Sequence, residues 1–134
     1  MRNRTLVCFV ASLGLTAAGA SAFAHHSFSA EFDANRPVKM TGTVTNVEWR
    51  NPHTWFYVDV KNDKGDIVNW GFELASPNLL LRNGWTRTSM KVGDVVEVEA
   101  YQAKNGMSLA NAHVVTLAST GASLFTGSSK GTTP

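Results

Sequence analysis

The sequence of 134 residues carries 12 Lys and Arg against 10 Asp and Glu, a formal net charge of +2, with 43% hydrophobic residues and 1 cysteine. A chain of this size supports one compact domain with its own core. So small a charge excess supplies no basic stripe for phosphate contacts, which argues against nucleic acid as a partner, and a single cysteine excludes an internal disulfide framework.

Met1-Arg2-Asn3-Arg4 is a short basic start, followed by an apolar run from Leu6 to Ala20 and the small residues Ala20-Ser21-Ala22-Phe23-Ala24. A basic segment, an apolar segment and an A-x-A site together predict a cleavable export signal over residues 1–24. Of the overlapping frames, Ala22-Phe23-Ala24 is preferred because it lies at the end of the small-residue run and leaves polar His25 first in the mature chain. The apolar run falls short of the ~20 residues of a membrane span, and no later segment approaches that length. The mature chain is therefore expected to be soluble and periplasmic, with no membrane insertion after signal removal. Cys8 sits inside the leader, too early for a lipoprotein cleavage cysteine, so the mature chain contains none. Removing 24 of the 134 residues leaves 110, and losing Arg2 and Arg4 leaves 10 basic residues against 10 acidic ones, a formal charge of zero.

After an N-terminal arm over residues 25–37, a barrel domain is expected over 38–118. Val38 to Trp49 is rich in Val and Thr and reads as a first strand, with Gly42 as a bend or bulge. Asn51-Pro52 makes a turn. His53 to Val60 alternates: Phe56, Val58 and Val60 should face the core, while His53, Trp55, Tyr57 and Asp59 share an outer or groove-lining face. Asn62-Asp63-Lys64-Gly65-Asp66 is a hairpin turn by composition, and Ile67 to Leu74 a third strand with Val68, Trp70 and Phe72 on one side. Ser76 and Pro77 suit the N-cap and first position of a short helix packed by Leu79, Leu80 and Leu81 and ended by Gly84. Lys91-Val92-Gly93-Asp94 turns into a fourth strand, Val95 to Gln102, and Asn105-Gly106 into a fifth, Met107 to Leu117. Ser119 to Pro134 is rich in Ser, Thr and Gly and is expected to be a flexible tail. Three strands, a helix and two strands predict an all-β fold, a five-stranded OB-like barrel with one short helix between strands 3 and 4. A sandwich would want more strands and no helix at that place.

The segments Ala24-His25-His26-Ser27-Phe28, Asn51-Pro52-His53-x-Trp55, Ser76-Pro77-Asn78, Arg82-x-Gly84-Trp85 and Lys91-x-Gly93-Asp94 resemble a group of small secreted proteobacterial proteins, the domain-of-unknown-function family 6152. The resemblance spans about residues 24–117. It implies an exported OB-like barrel, and it implies no activity and no catalytic residues.

Four histidines remain in the mature chain: His25, His26, His53 and His113. With cleavage after Ala24, His25 offers its α-amine and its imidazole to one metal ion, and a further imidazole completes a planar set of three nitrogens. Such tetragonal nitrogen ligation favours Cu(II), and the arrangement resembles the histidine brace of secreted copper proteins. His53 is the first candidate for the third nitrogen, with His26 or His113 as substitutes and Glu31 or Asp33 as outer supports. The plainer reading of the same residues is a structural one: His53 closing the Asn51-Pro52 turn, and Phe28 and Phe32 packing the arm onto the barrel.

The second constellation is aromatic. Trp55 and Tyr57 on the outer face of strand 2 could stack on a sugar ring, as OB barrels often bind across strands 2 and 3, whereas Trp70 and Trp85 read as core. Carboxylates are scattered at Glu48, Asp59, Glu73, Glu97 and Glu99, and no nucleophile elbow, phosphate loop or H-E-x-x-H is present. The expectation is a binding protein and not an enzyme. It holds a metal ion, copper foremost, through His25, His26 and His53; alternatively it recognises a sugar polymer, an envelope component or a protein through Trp55 and Tyr57.

Overall fold

The computed structural model describes residues 28–127. Its strands are β1 (Phe32–Glu48), β2 (Trp55–Lys61), β3 (Ile67–Glu73), β4 (Val95–Ala103), β5 (Leu109–Leu117) and β6 (Ser123–Leu124), with helix α1 (Pro77–Arg82) between β3 and β4. The sheet order is β3-β2-β1-β4-β5-β6, and a parallel pairing of β3 with β5 joins the two sides. That closure is short, matching Gly71, Phe72 and Glu73 with Leu109, Ala110 and Asn111. Five strands thus form the expected OB-like ring, and β6 is laid beside β5.

Strand β1 makes the ring possible because it is long enough to pair antiparallel with β2 along one edge and with β4 along the other. At Gly42 a Cβ would stand 2.2 Å from the Asp59 carbonyl oxygen, so only glycine lets β1 and β2 approach there. The register shift towards β2 lies a little further on, between Val44 and Asn46. The strand also begins at Phe32, ahead of the expected Val38. Phe32 pairs with Ala103 and is 3% exposed. The polar run Asp33-Ala34-Asn35-Arg36-Pro37 hid this extension, since Pro37 cannot donate to a ladder, and the β1–β4 register shifts between Phe32 and Pro37 to accommodate it.

The core fills the ring with alternate residues. Phe56 and Val58 of β2, Phe72 of β3, Val96, Val98 and Ala100 of β4, and Ala110, Ala112 and Val115 of β5 are buried. Phe56 and Phe72 stack with centroids 5.2 Å apart, and each such side chain contributes roughly 1.5–3 kcal/mol through burial. Val60 and Trp70 pack at the margin of this cluster.

Helix α1 has the caps its sequence predicts. The Ser76 side chain accepts from the Leu79 amide, Pro77 begins the helix, Asn83 closes it, and Gly84 follows at φ +90°. Only Leu80 is buried; Leu79 and Leu81 are 41% and 46% exposed, because a helix of 6 residues presents one narrow face to the barrel.

Composition assigns residues 119–134 to a tail, yet part of that segment is built into the structure. Ser123 and Leu124 pair with Thr116 and Val115, Trp85 Nε1 donates to the Phe125 carbonyl at 2.8 Å, and Thr126 is buried with its carbonyl accepting from the Ala75 amide.

Candidate functional site

One end of the ring carries the chemistry. The chain runs from β1 through Trp49 and Arg50 to Asn51-Pro52, then enters β2 just after His53. Thr54 fixes this entry: its amide donates to the Ala75 carbonyl and its carbonyl accepts from the Leu74 amide. Because side chains alternate, Thr54 and Phe56 point into the core while His53, Trp55 and Tyr57 share the other face, as the pattern predicts. Across the β2–β3 ladder Trp55 stands opposite Glu73.

His53 Nδ1 lies in direct contact with Glu73 Oε1, with the imidazole side chain 35% exposed and the Glu73 side chain 7%. Burial pushes the Glu73 carboxyl up to about 7, and the negative charge of Glu31 adds to the shift. Burial pushes His53 below its ordinary value, partly offset by Glu31, which favours the cation. Above about 7, where Glu73 is ionised and His53 is neutral, the imidazole Nδ1–H donates to the carboxylate. Its Nε2 is the remaining basic nitrogen.

Glu31, Arg50, Asn51, His53, Trp55 and Glu73 surround a cleft of about 290 Å³. Glu31 reaches it from the helical turn over residues 28–31, which is tied to the β4–β5 connection: the Lys104 amide donates to the Glu31 carbonyl at 2.8 Å, and Lys104 Nζ donates to the Ser29 carbonyl. Phe28 of the same turn lies edge-on to Tyr101 at 5.7 Å and beside Phe32 at 5.8 Å. The turn is therefore anchored by packing, as the plainer reading of Phe28 and Phe32 requires, and it also delivers Glu31 to the cleft. A second hollow of about 270 Å³ adjoins, bounded by Glu31, Trp55, Lys104, Asn105 and Leu109. Glu31 and Trp55 belong to both, so the two form one trough across the barrel mouth. Arg50 lies over the Trp55 ring at 6.0 Å and pairs with Glu48 at 3.4 Å.

The other expected site residues are placed as follows. His25 and His26 lie outside the described residues. Tyr57 is opposite Gly71 and packs where a glycine Cβ would stand only 3.1 Å from its ring; it does not line the trough. His113 is stacked on Tyr101 with centroids 4.6 Å apart, its Nε2 3.7 Å from Glu99 Oε2, away from His53. Asp33 accepts the Asn35 amide at 2.9 Å and is likewise not in the His53 cleft. Among the described residues no group of three His, Cys, Asp or Glu side chains converges to hold a metal ion. The member that sequence reasoning missed is Glu73, dismissed as one scattered carboxylate. Its signal was positional: with Val68, Trp70 and Phe72 turned one way, Glu73 must turn towards the face of His53 and Trp55.

No curated protein and no solved structure shows significant similarity to the chain. The sequence profile of a family of unknown function, DUF6152, matches residues 12–112. The chain belongs to that family.

Proposed function

We propose that the protein is an exported, periplasmic binding protein that holds a transition metal, copper foremost, with His53 as the ligand contributed by the barrel. The observation that carries this reading is the His53–Glu73 pair. A metal-binding imidazole commonly donates its other ring N–H to a carboxylate, which fixes the tautomer and ring orientation and strengthens the ligating nitrogen. Here Glu73 receives Nδ1–H, which leaves Nε2 as the ligating atom in the cleft. The described residues supply one imidazole and its support, so the remaining ligands must come from elsewhere in the chain. The α-amine and imidazole of His25, supported by His26, are the nitrogens that fit Cu(II). His25 stands six residues before Glu31, which lines the cleft. Residues 28–31 form the anchored turn, so the free link is the three residues from His25 to Phe28, which spans up to roughly 10 Å from the start of that turn. The basic and apolar residues before Ala24 support export, and no helix among the described residues is long and apolar enough to cross a membrane.

The test is Cu(II) titration of the protein beginning at His25 and of the same protein with Gly-Ser-Gly-Ser added before it, a length that keeps His25 out of the third position, where a new amine and two amides would bind Cu(II) themselves. The proposal expects a sharp loss of affinity on extension, because the α-amine is consumed. Equal affinity in both forms refutes the amine ligand, and no binding in either refutes the metal reading.

A further inference from the structure

The trough is longer than a single metal site needs, and its lining is specific. We propose that it binds a neutral oligosaccharide, with one sugar ring stacked on Trp55 and its neighbours in the two adjoining hollows. Trp55 stands where the two hollows meet and is the aromatic residue common to both, so a chain lying along the trough must pass over or beside its ring. Aromatic faces suit the C–H side of a pyranose, which is apolar, while the hydroxyl edge needs polar partners. Those partners are at hand on either side. Glu31 is exposed in the middle of the trough, and a carboxylate can accept from two adjacent hydroxyls at once. Asn51 lies at one end and Asn105 at the other. The Asn105 side-chain oxygen already accepts the Met107 amide at 3.0 Å, which turns its NH₂ into the group left to donate.

The charge arrangement selects against the other classes of extended ligand. A polyanion, whether nucleic acid or polyuronate, would meet Glu31 at the centre. The two cations at the ends are already engaged: Arg50 with Glu48 at 3.4 Å and over Trp55, Lys104 with the Ser29 carbonyl. An apolar ligand would bury a carboxylate without a partner, which is costly. A hydroxyl-rich neutral chain can donate to Glu31 and accept from the Asn105 NH₂.

This site uses no metal, so it stands or falls apart from the copper reading, and its test is run with a chelator present. Cellohexaose, maltohexaose and hexa-N-acetylchitohexaose are titrated into the protein with Trp fluorescence and amide NMR shifts as readouts, beside hexagalacturonate as the anionic control. At least one neutral hexaose should bind saturably and shift amides of residues 50–55 and 104–105, and the hexagalacturonate should not. Trp55→Ala should weaken that binding about tenfold or more, with Trp55→Phe losing less, and Glu31→Ala should weaken it severalfold. The far-UV spectrum and melting temperature of each variant show that it is folded. Saturable binding of none of the three neutral hexaoses, equal binding of the hexagalacturonate, or unchanged binding by folded Trp55→Ala overturns the proposal.

Discussion

Replacing Glu73 by Gln should make the metal-free protein more stable at pH 8 and alter its stability little at pH 4.5. Glu73 is held near 7 in the fold against an ordinary value of 4.5, so the native state keeps a proton that the unfolded chain gives up earlier. For a carboxyl raised in this way the stabilising contribution is complete below 4.5 and is lost as pH rises through about 7. At ~1.4 kcal/mol per unit the shift from 4.5 to about 7 sets a ceiling of roughly 3.5 kcal/mol; the cleft opens to water on one side, and screening lowers the expected effect to about 1–3 kcal/mol. Gln keeps a carbonyl oxygen to accept His53 Nδ1–H and carries no charge at any pH. Glu73→Gln should therefore remove the decline expected of the wild type as pH rises from 4.5 through about 7. His53 acts in the opposite sense, since its lowered value costs stability as pH falls through 6.5, and it is present in both proteins. Urea denaturation at half-unit steps from pH 4.5 to 8, with chelator present, measures both curves. Parallel curves would refute the burial of a shifted carboxyl at this site.

Four further substitutions test the packing. Leu80→Ala should cost about 2–5 kcal/mol in urea unfolding, since Leu80 is fully buried, while Leu81→Ala on the exposed side of the same helix should change stability by less than about 0.5 kcal/mol. Gly42→Ala drives a methyl group into the Asp59 carbonyl and should cost at least about 1–3 kcal/mol, visible as a lower melting temperature. Trp85→Phe removes the donor to the Phe125 carbonyl and should cost about 1 kcal/mol, with faster amide hydrogen exchange centred on residues 123–126.

Much of the barrel was legible because its signals are periodic and local. The alternation at Phe56 and Val58 against Trp55 and Tyr57, the Ser76-Pro77 start and the Gly84 stop of the helix depend on residues within one turn or one pleat. What was not legible depended on distant partners. Phe32 joins β1 only because Ala103 lies opposite, and the Ser- and Thr-rich stretch after Ser119 is held by Val115, Trp85 and Ala75. The site divides the same way. His53 and Trp55 could be placed on one face by counting along strand 2. The pairing of His53 with Glu73 required the β2–β3 register, and the place of Glu31 required Lys104 from the other side of the barrel to clamp the turn that carries it.

The central claim is that His53 Nε2, supported by Glu73, is a metal ligand alongside the mature N-terminus. Pulsed electron paramagnetic resonance of the Cu(II)-loaded protein beginning at His25 counts the imidazoles bound to the metal. Two coordinated imidazoles are expected, falling to one in His53→Ala while the amine nitrogen persists. An unchanged imidazole count in His53→Ala would contradict the claim.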